Sequence, residues 1–272
     1  MAAPTLPCKP RFSCTAPGGW PMRCRCTGRR QRRTGAIRWP APRLLALALA
    51  DSGAAAGEAL RWIAEALKRA PKSSQTHAAH GRILVGQGAL AQARAAFEIA
   101  LRHDPACIPA HRALVQLCLR DGAAAALAPL QRAADALPAE VWPQAELGRL
   151  LAQLRQYVAA VQHLRRAVQR APRAAVLHYD LGAACQECDD MPAAIAAYGA
   201  AISLDPAMVR AHHNLGSALQ SGAMSAALAS YARALALDPA SFGRIAQDLA
   251  AGPRGQVFLR AADLRARLTA AL

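Results

Sequence analysis

From residue 39 onward, apolar positions return on a long fixed period rather than on the two-residue alternation of a half-buried strand. Proline stands at 71, 105, 138, 172, 206 and 239, at intervals of 34, 33, 34, 34 and 33 residues. Five residues before each proline stands alanine: Ala66, Ala100, Ala133, Ala167, Ala201 and Ala234. Twelve before it stands another: Ala59, Ala93, Ala126, Ala160, Ala194 and Ala227. Between the two columns lies a bulky residue, Ile63, Phe97, Leu130, Leu164, Tyr198 or Tyr231. The seven-residue gap between the alanines is two helical turns, so these positions share one helix face.

The first half of each unit repeats as well. Leu45, Leu114, Leu147, Leu181 and Leu215 are each followed by a small or modest residue, Gly148, Gly182 and Gly216 in the best copies. Four residues further on stand Leu49, Leu84, Cys118, Leu151, Cys185 and Leu219, and turn signals such as Gly53, Gly88, Gly122 and Gly222 follow. The pattern predicts an antiparallel helix pair per unit. Small residues let the two helices approach, the bulky residue fills the space between them, and proline stops the second helix.

The combination Leu-Gly, small, aromatic, Ala, Pro at a period of 34 resembles the tetratricopeptide repeat. The fullest copies are residues 175–208, with Tyr179, Asp180, Leu181, Gly182, Ala194, Tyr198, Ala201 and Pro206, and residues 209–241, with Asn214, Leu215, Gly216, Ala227, Tyr231, Ala234 and Pro239. The resemblance implies an all-α fold, a right-handed α-solenoid of six helix pairs over residues 39–241. The first unit is blurred by one residue, the third and sixth are one short, and His80 replaces the leucine. Pro129 falls inside a second helix, where a local kink is expected. Residues 242–272 leave the repeat but keep an apolar series of Ile245, Leu249, Val257, Leu264, Leu268 and Leu272, broken at Gly252-Pro253. They read as a C-terminal cap covering the last apolar face, with Arg260, Arg265 and Arg267 outward.

Composition supports helices. The chain is 54% hydrophobic and 4% aromatic over 272 residues, with alanine the commonest residue. The net charge of +16 is uneven, because residues 1–40 hold nine of the 33 basic residues and none of the 17 acids. Residues 1–38 read as a basic, disordered arm, for which a targeting segment, an overlong reading frame and a nucleic-acid or anionic-lipid contact are the alternatives. Lysine occurs at 9, 68 and 72 alone, and such an arginine bias suggests a GC-rich coding sequence of bacterial source. The apolar run Leu44 to Ala50 is too short to span a membrane and serves equally as a first helix. Eight cysteines in no disulfide framework, Cys8, Cys14, Cys24, Cys26, Cys107, Cys118, Cys185 and Cys188, suggest reduced thiols and a cytoplasmic setting.

Candidate chemistry is sparse. His77, His111, His178 and His212 occupy one position in four units, but equivalent positions on stacked helices lie about 8–10 Å apart, too far to share a metal, so a packing role is expected. Cys185-x-x-Cys188 lacks the second pair of a zinc site, and Cys185 stands in a leucine column. No glycine loop for phosphate, nucleophile elbow, metalloprotease pair or other catalytic pattern is present, and no cofactor is called for. Asp189-Asp190 reads as the start of a helix.

In the family the concave groove is lined by the first helix of each unit. Carried over by register, these positions include Arg82, Arg112, Gln116, Arg120, Arg149, Gln153, Tyr179, Gln186, Glu187, Arg210, His213 and Gln220. A polar, mostly cationic wall suits an acidic peptide or a C-terminus. Asn214 is the chain's single asparagine, so neither an asparagine ladder nor a lysine-asparagine carboxylate clamp is supported, and a chaperone-tail adaptor is disfavoured. The expectation is a non-enzymatic scaffold binding a peptide segment of another protein. The alternative is a recruiting module, or a truncated relative, of a larger repeat-plus-enzyme protein of transferase type.

Overall fold

The computed structural model describes residues 42–51, 56–251 and 261–271. Among them are fourteen α-helices and no strand. The helices fall into six antiparallel pairs. These are α1 (Pro42–Asp51) with α2 (Ala56–Arg69), α3 (Ser74–Gly86) with α4 (Leu90–His103), and α5 (Ile108–Asp121) with α6 (Ala123–Ala136). The others are α7 (Val141–Gln153) with α8 (Tyr157–Arg170), α9 (Ala175–Glu187) with α10 (Met191–Leu204), and α11 (Val209–Leu219) with α12 (Met224–Leu237). A single turn of 3₁₀-helix, Pro239–Ser241, leads to α13 (Phe242–Ala251), and α14 (Ala261–Ala270) ends the described chain. The helical solenoid expected from the repeat is therefore present, and α6 continues through Pro129.

The two alanine columns are the contact surface. Eleven of the twelve alanines are fully buried and Ala66 nearly so, and every bulky residue between them is at most 1% exposed. Glycine on the facing helix makes that fit possible. A Cβ at Gly81 would stand 2.5 Å from the Phe97 ring, at Gly148 2.6 Å from Leu164, at Gly182 2.7 Å from Tyr198 and at Gly216 2.8 Å from Tyr231. These four pairs are thus closed by a small residue opposite a large one, the alternation that fills a helix interface without voids.

The turn inside a pair follows one design in three repeats. Gly88, Arg155 and Asp189 all adopt positive φ, at 77°, 58° and 61°. The next residue's N–H then donates back across the helix end, Ala89 to Leu84, Gln156 to Leu151 and Asp190 to Cys185. Asp190 also accepts from the Ala193 N–H, which starts α10 as expected. Between pairs a second device recurs. His77, His111, His178 and His212 each donate from Nε2 to the carbonyl of the proline six residues earlier, at 2.8–3.0 Å. These histidines tie α3, α5, α9 and α11 to the loops before them, which is the packing role the register implied. Where aspartate precedes the proline, at Asp104, Asp205 and Asp238, its carboxylate accepts the N–H two residues on and closes the turn.

The C-terminal helices continue the core. Ile245 and Leu249 of α13 and Leu264 and Leu268 of α14 are buried with Tyr231, Ala232 and Ala234 of the last pair. Arg265 and Arg267 face outward, with the Arg265 guanidinium 4.4 Å above the Phe242 ring. Arg260, Val257, the Gly252-Pro253 break and Leu272 lie outside the described residues, as do the basic residues 1–38 and Cys8, Cys14, Cys24 and Cys26.

Candidate functional site

The first helices of the repeats, α3, α5, α7, α9 and α11, spend their glycine-leucine face on their partners and turn another face outward. Contacts between successive first helices follow a regular offset on that face. The seventh residue after one proline meets the fourth after the next, so Arg112 stacks over the Trp142 ring at 5.0 Å and Arg210 over the Tyr179 ring at 4.4 Å. The same juxtaposition thus holds a cation on an aromatic face twice, with the two residue types exchanged. Four residues on, the offset produces an ion pair: Arg149 donates from Nε to Asp180 at 2.6 Å and from Nη1 to Glu146 at 2.8 Å. Partial burial works against the Arg149 charge, but the hydrogen bond and field of Asp180, aided by Glu146, outweigh it and hold its pKa above the usual arginine value.

The wall therefore differs along its length. At α3 and α5 a cavity of about 230 Å³ opens, lined by Arg82, Val85, Phe97, Ala113, Gln116, Leu117 and Arg120. Its floor is apolar, its rim carries two guanidinium groups and an amide, and Arg82, Gln116 and Arg120 are exposed. In the middle, the charge of Arg149 is answered within the chain. Towards α9 and α11 the polar groups form an internal network. Tyr198 is buried and donates to Gln186 at 3.0 Å, while Asn214 donates to the hydroxyls of Tyr179 and Tyr198 at 3.3 Å. Burial pushes the Tyr198 phenol well above its ordinary pKa and Tyr231 up to about 12, so both remain neutral hydrogen-bonding groups.

Of the positions singled out by register, Arg82, Arg112, Gln116, Arg120, Gln153, Glu187 and Arg210 are exposed. Arg149, Tyr179 and Gln186 are half-buried and engaged as described. Two lie inside the packing. Gln220 is 4% exposed and donates to the Tyr231 hydroxyl at 2.6 Å, and His213 is 7% exposed beneath α13 with its Nε2 3.2 Å from Asp248. The partners Trp142 and Glu146 were not singled out from the sequence, and Asp180 only as part of the repeat pattern, although their offset from Arg112 and Arg149 repeats between neighbouring units.

Two further cavities lie away from the α3–α5 wall. One of about 440 Å³ is bounded by Val176, Met208, Arg210, His213, Asp238 and Arg244, and one of about 230 Å³ opens beside Glu98, Leu101, His111 and Arg132. The cysteines 107, 118, 185 and 188 are unbridged, and burial pushes the Cys185 thiol above its ordinary pKa, away from thiolate reactivity. Among the described residues no three His, Cys, Asp or Glu side chains converge as metal ligands, and no helix is long and apolar enough to cross a membrane.

Comparison with known families gives a match to the tetratricopeptide repeat model over residues 78–141 and 189–242. Comparison with curated proteins returns no match. Among solved structures, YrrB, described as a TPR protein with an unusual peptide-binding site, is similar with a TM-score of 0.58 at 19% identity, over 65% of this chain and 92% of that one. Two structures of MamA are similar as well. One gives a TM-score of 0.56 at 21% identity, over 63% of this chain and 94% of that one, and the other 0.53 at 23%, over 59% and 95%. At these identities the likeness concerns the fold.

Proposed function

Because the chain is a tetratricopeptide repeat protein, we propose that it is a non-enzymatic interaction scaffold whose wall of first helices holds a peptide segment of another protein. The observation that carries this reading is the cavity between α3 and α5. Val85, Phe97, Ala113 and Leu117 offer an apolar seat the size of one or two side chains, and Arg82 and Arg120 flank it with forks suited to carboxylates. The segment that fits is acidic, with an apolar side chain as anchor. The wall beyond it would add contacts at Arg112, Gln116 and Arg210 and contribute little net charge at Arg149, whose carboxylate partners already neutralise it.

The test is a fluorescence-anisotropy titration with labelled peptides bearing a leucine or phenylalanine between glutamates, against sequences with the apolar residue replaced by serine or the glutamates by glutamine. Both replacements should weaken binding, and so should added salt. Charge reversal of Arg82 and Arg120 to glutamate should weaken the parent peptide by tenfold or more while the far-ultraviolet dichroism is retained. Equal binding of all three peptides, or no effect of the reversal in a folded variant, would rule the cavity out as the peptide seat.

A further inference from the structure

The second helices present a different surface. In most of them arginines are answered or stand singly: Arg94 pairs with Asp121, Arg132 donates twice to Glu98 at 3.1 and 3.3 Å, and Arg69 pairs with Glu65. α10 carries no charged residue, and α12 carries Arg233 alone. α8 breaks this pattern. From Tyr157 to Arg173 the chain holds Arg165, Arg166, Arg170 and Arg173, all exposed, and no carboxylate. Arg165 has the distant Asp190 at 3.8 Å, and Arg170 donates to the Arg166 carbonyl, another arginine's backbone.

Helical spacing sets Gln162, Arg166, Gln169 and Arg170 along one exposed face of α8, and Arg173 is exposed in the turn that follows the helix. Every side chain in that strip is a hydrogen-bond donor through an amide or guanidinium. Arg166 and Arg170 follow each other at about 6 Å along the axis. The field of these cations is felt inside the repeat, since burial and then Arg166 hold the pKa of the half-buried His163 below its ordinary value. An arginine-rich composition alone would spread cations over all the second helices. Concentration on one of them, beside neighbours whose arginines are answered or stand singly, is what calls for a ligand.

We propose that the exposed face of α8 docks the phosphate backbone of nucleic acid. A guanidinium fork matches two phosphate oxygens, and a row of forks without aromatic rings reads backbone rather than bases. An acidic peptide is disfavoured because the strip contributes to none of the three cavities and offers an apolar anchor no seat. A bilayer is disfavoured because the exposed apolar residue on this face, Val158 at 70%, stands about 18 Å along the axis from Arg170, at the uncharged end of the strip. The proposal is independent of the groove: one face holds a protein segment, the other a polyanion.

The experiment is an anisotropy titration of a labelled DNA duplex with the full chain between about 50 and 200 mM salt. Because residues 1–40 are basic as well, the difference between variants is the readout. Arg166→Gln, Arg170→Gln and Arg173→Gln together should lower the slope of log K against log salt by about 2.7, near 0.9 for each phosphate no longer neutralised. The control replaces Arg61, Arg102 and Arg233, exposed and scattered, with glutamine. It removes the same charge and should change the slope far less. Equal slopes for the two variants, with dichroism unchanged, overturn the proposal. If polyglutamate or anionic vesicles show the same dependence on the α8 arginines, the strip is a general acidic dock and the nucleic-acid assignment fails.

Discussion

Replacing Gly182 and Gly199 by alanine, one at a time, isolates the close approach of glycine to a bulky residue seen in four of the helix pairs. Both glycines sit in the same helix pair, in α9 and α10, and both substitutions gain the helix preference of alanine over glycine, about 0.5–1 kcal/mol. They differ in what the new methyl group meets. At Gly199 nothing lies within 4 Å, whereas at Gly182 the Cβ would stand 2.7 Å from Cδ1 and Cε1 of Tyr198. Tyr198 has no easy retreat, being fully buried with its hydroxyl held between Gln186 and Asn214. Overpacking of this kind costs about 1–3 kcal/mol. Gly199→Ala should therefore raise stability by about 0.5–1 kcal/mol, while Gly182→Ala should lie about 1–3 kcal/mol below it. Urea denaturation followed by dichroism measures both against the parent, compared through the midpoint at constant slope. A Gly182→Ala protein as stable as Gly199→Ala would refute the claim that the glycine column is set by contact with the bulky column.

Other outcomes follow from the same geometry. Ala201→Leu, at a fully buried position, should cost about 1–3 kcal/mol, and Ala196→Leu, on the exposed face of the same helix, close to nothing, by the same denaturation assay. Arg155→Gly should stabilise by about 0.5–1 kcal/mol because φ of 58° strains a side-chain-bearing residue, with a smaller gain for Asp189→Gly since aspartate tolerates that region better. Burial lowers the pKa of His80 and His163, aided by His77 and Arg166 respectively, so the unfolded chain binds protons more readily. Stability should fall as pH drops below about 6.5 and level off beneath the folded values; His163→Gln should flatten that fall, and NMR titration should place His163 below the free value.

The architecture was legible because each repeat solves the same packing problem with the same residues. Ala201 and Tyr198 could be read from the sequence since a period of 33 or 34 repeats their environment six times, and the structure buries both completely. Departures from the repeat are local, and there the period is silent. Nothing in it announces that Arg155 stands where Gly88 supplies a left-handed turn, because backbone hydrogen bonds from Gln156 to Leu151 hold the turn whichever residue occupies it. The groove was legible by position but not by charge. Arg149 looked like Arg112 and Arg120, yet its charge is consumed by Glu146 and Asp180, residues on the same and the next first helix whose approach depends on how the repeats stack. His213 and Gln220 illustrate a second limit: the last repeat has a cap above it, and burial beneath α13 or against Tyr231 redirects side chains that the register alone sends outward.

If the α3–α5 wall reads an acidic segment through Arg82 and Arg120, exchanging the charges on both sides of the contact should restore what exchanging them on one side destroys. The Arg82→Glu, Arg120→Glu protein is titrated with two peptides, one with glutamates flanking the apolar anchor and one with arginines in their place. The variant should lose the acidic peptide and gain the basic one, recovering affinity through direct pairing at the cavity rim. Equal indifference of the folded variant to both peptides, or undiminished capture of the acidic one, would contradict that reading of the wall.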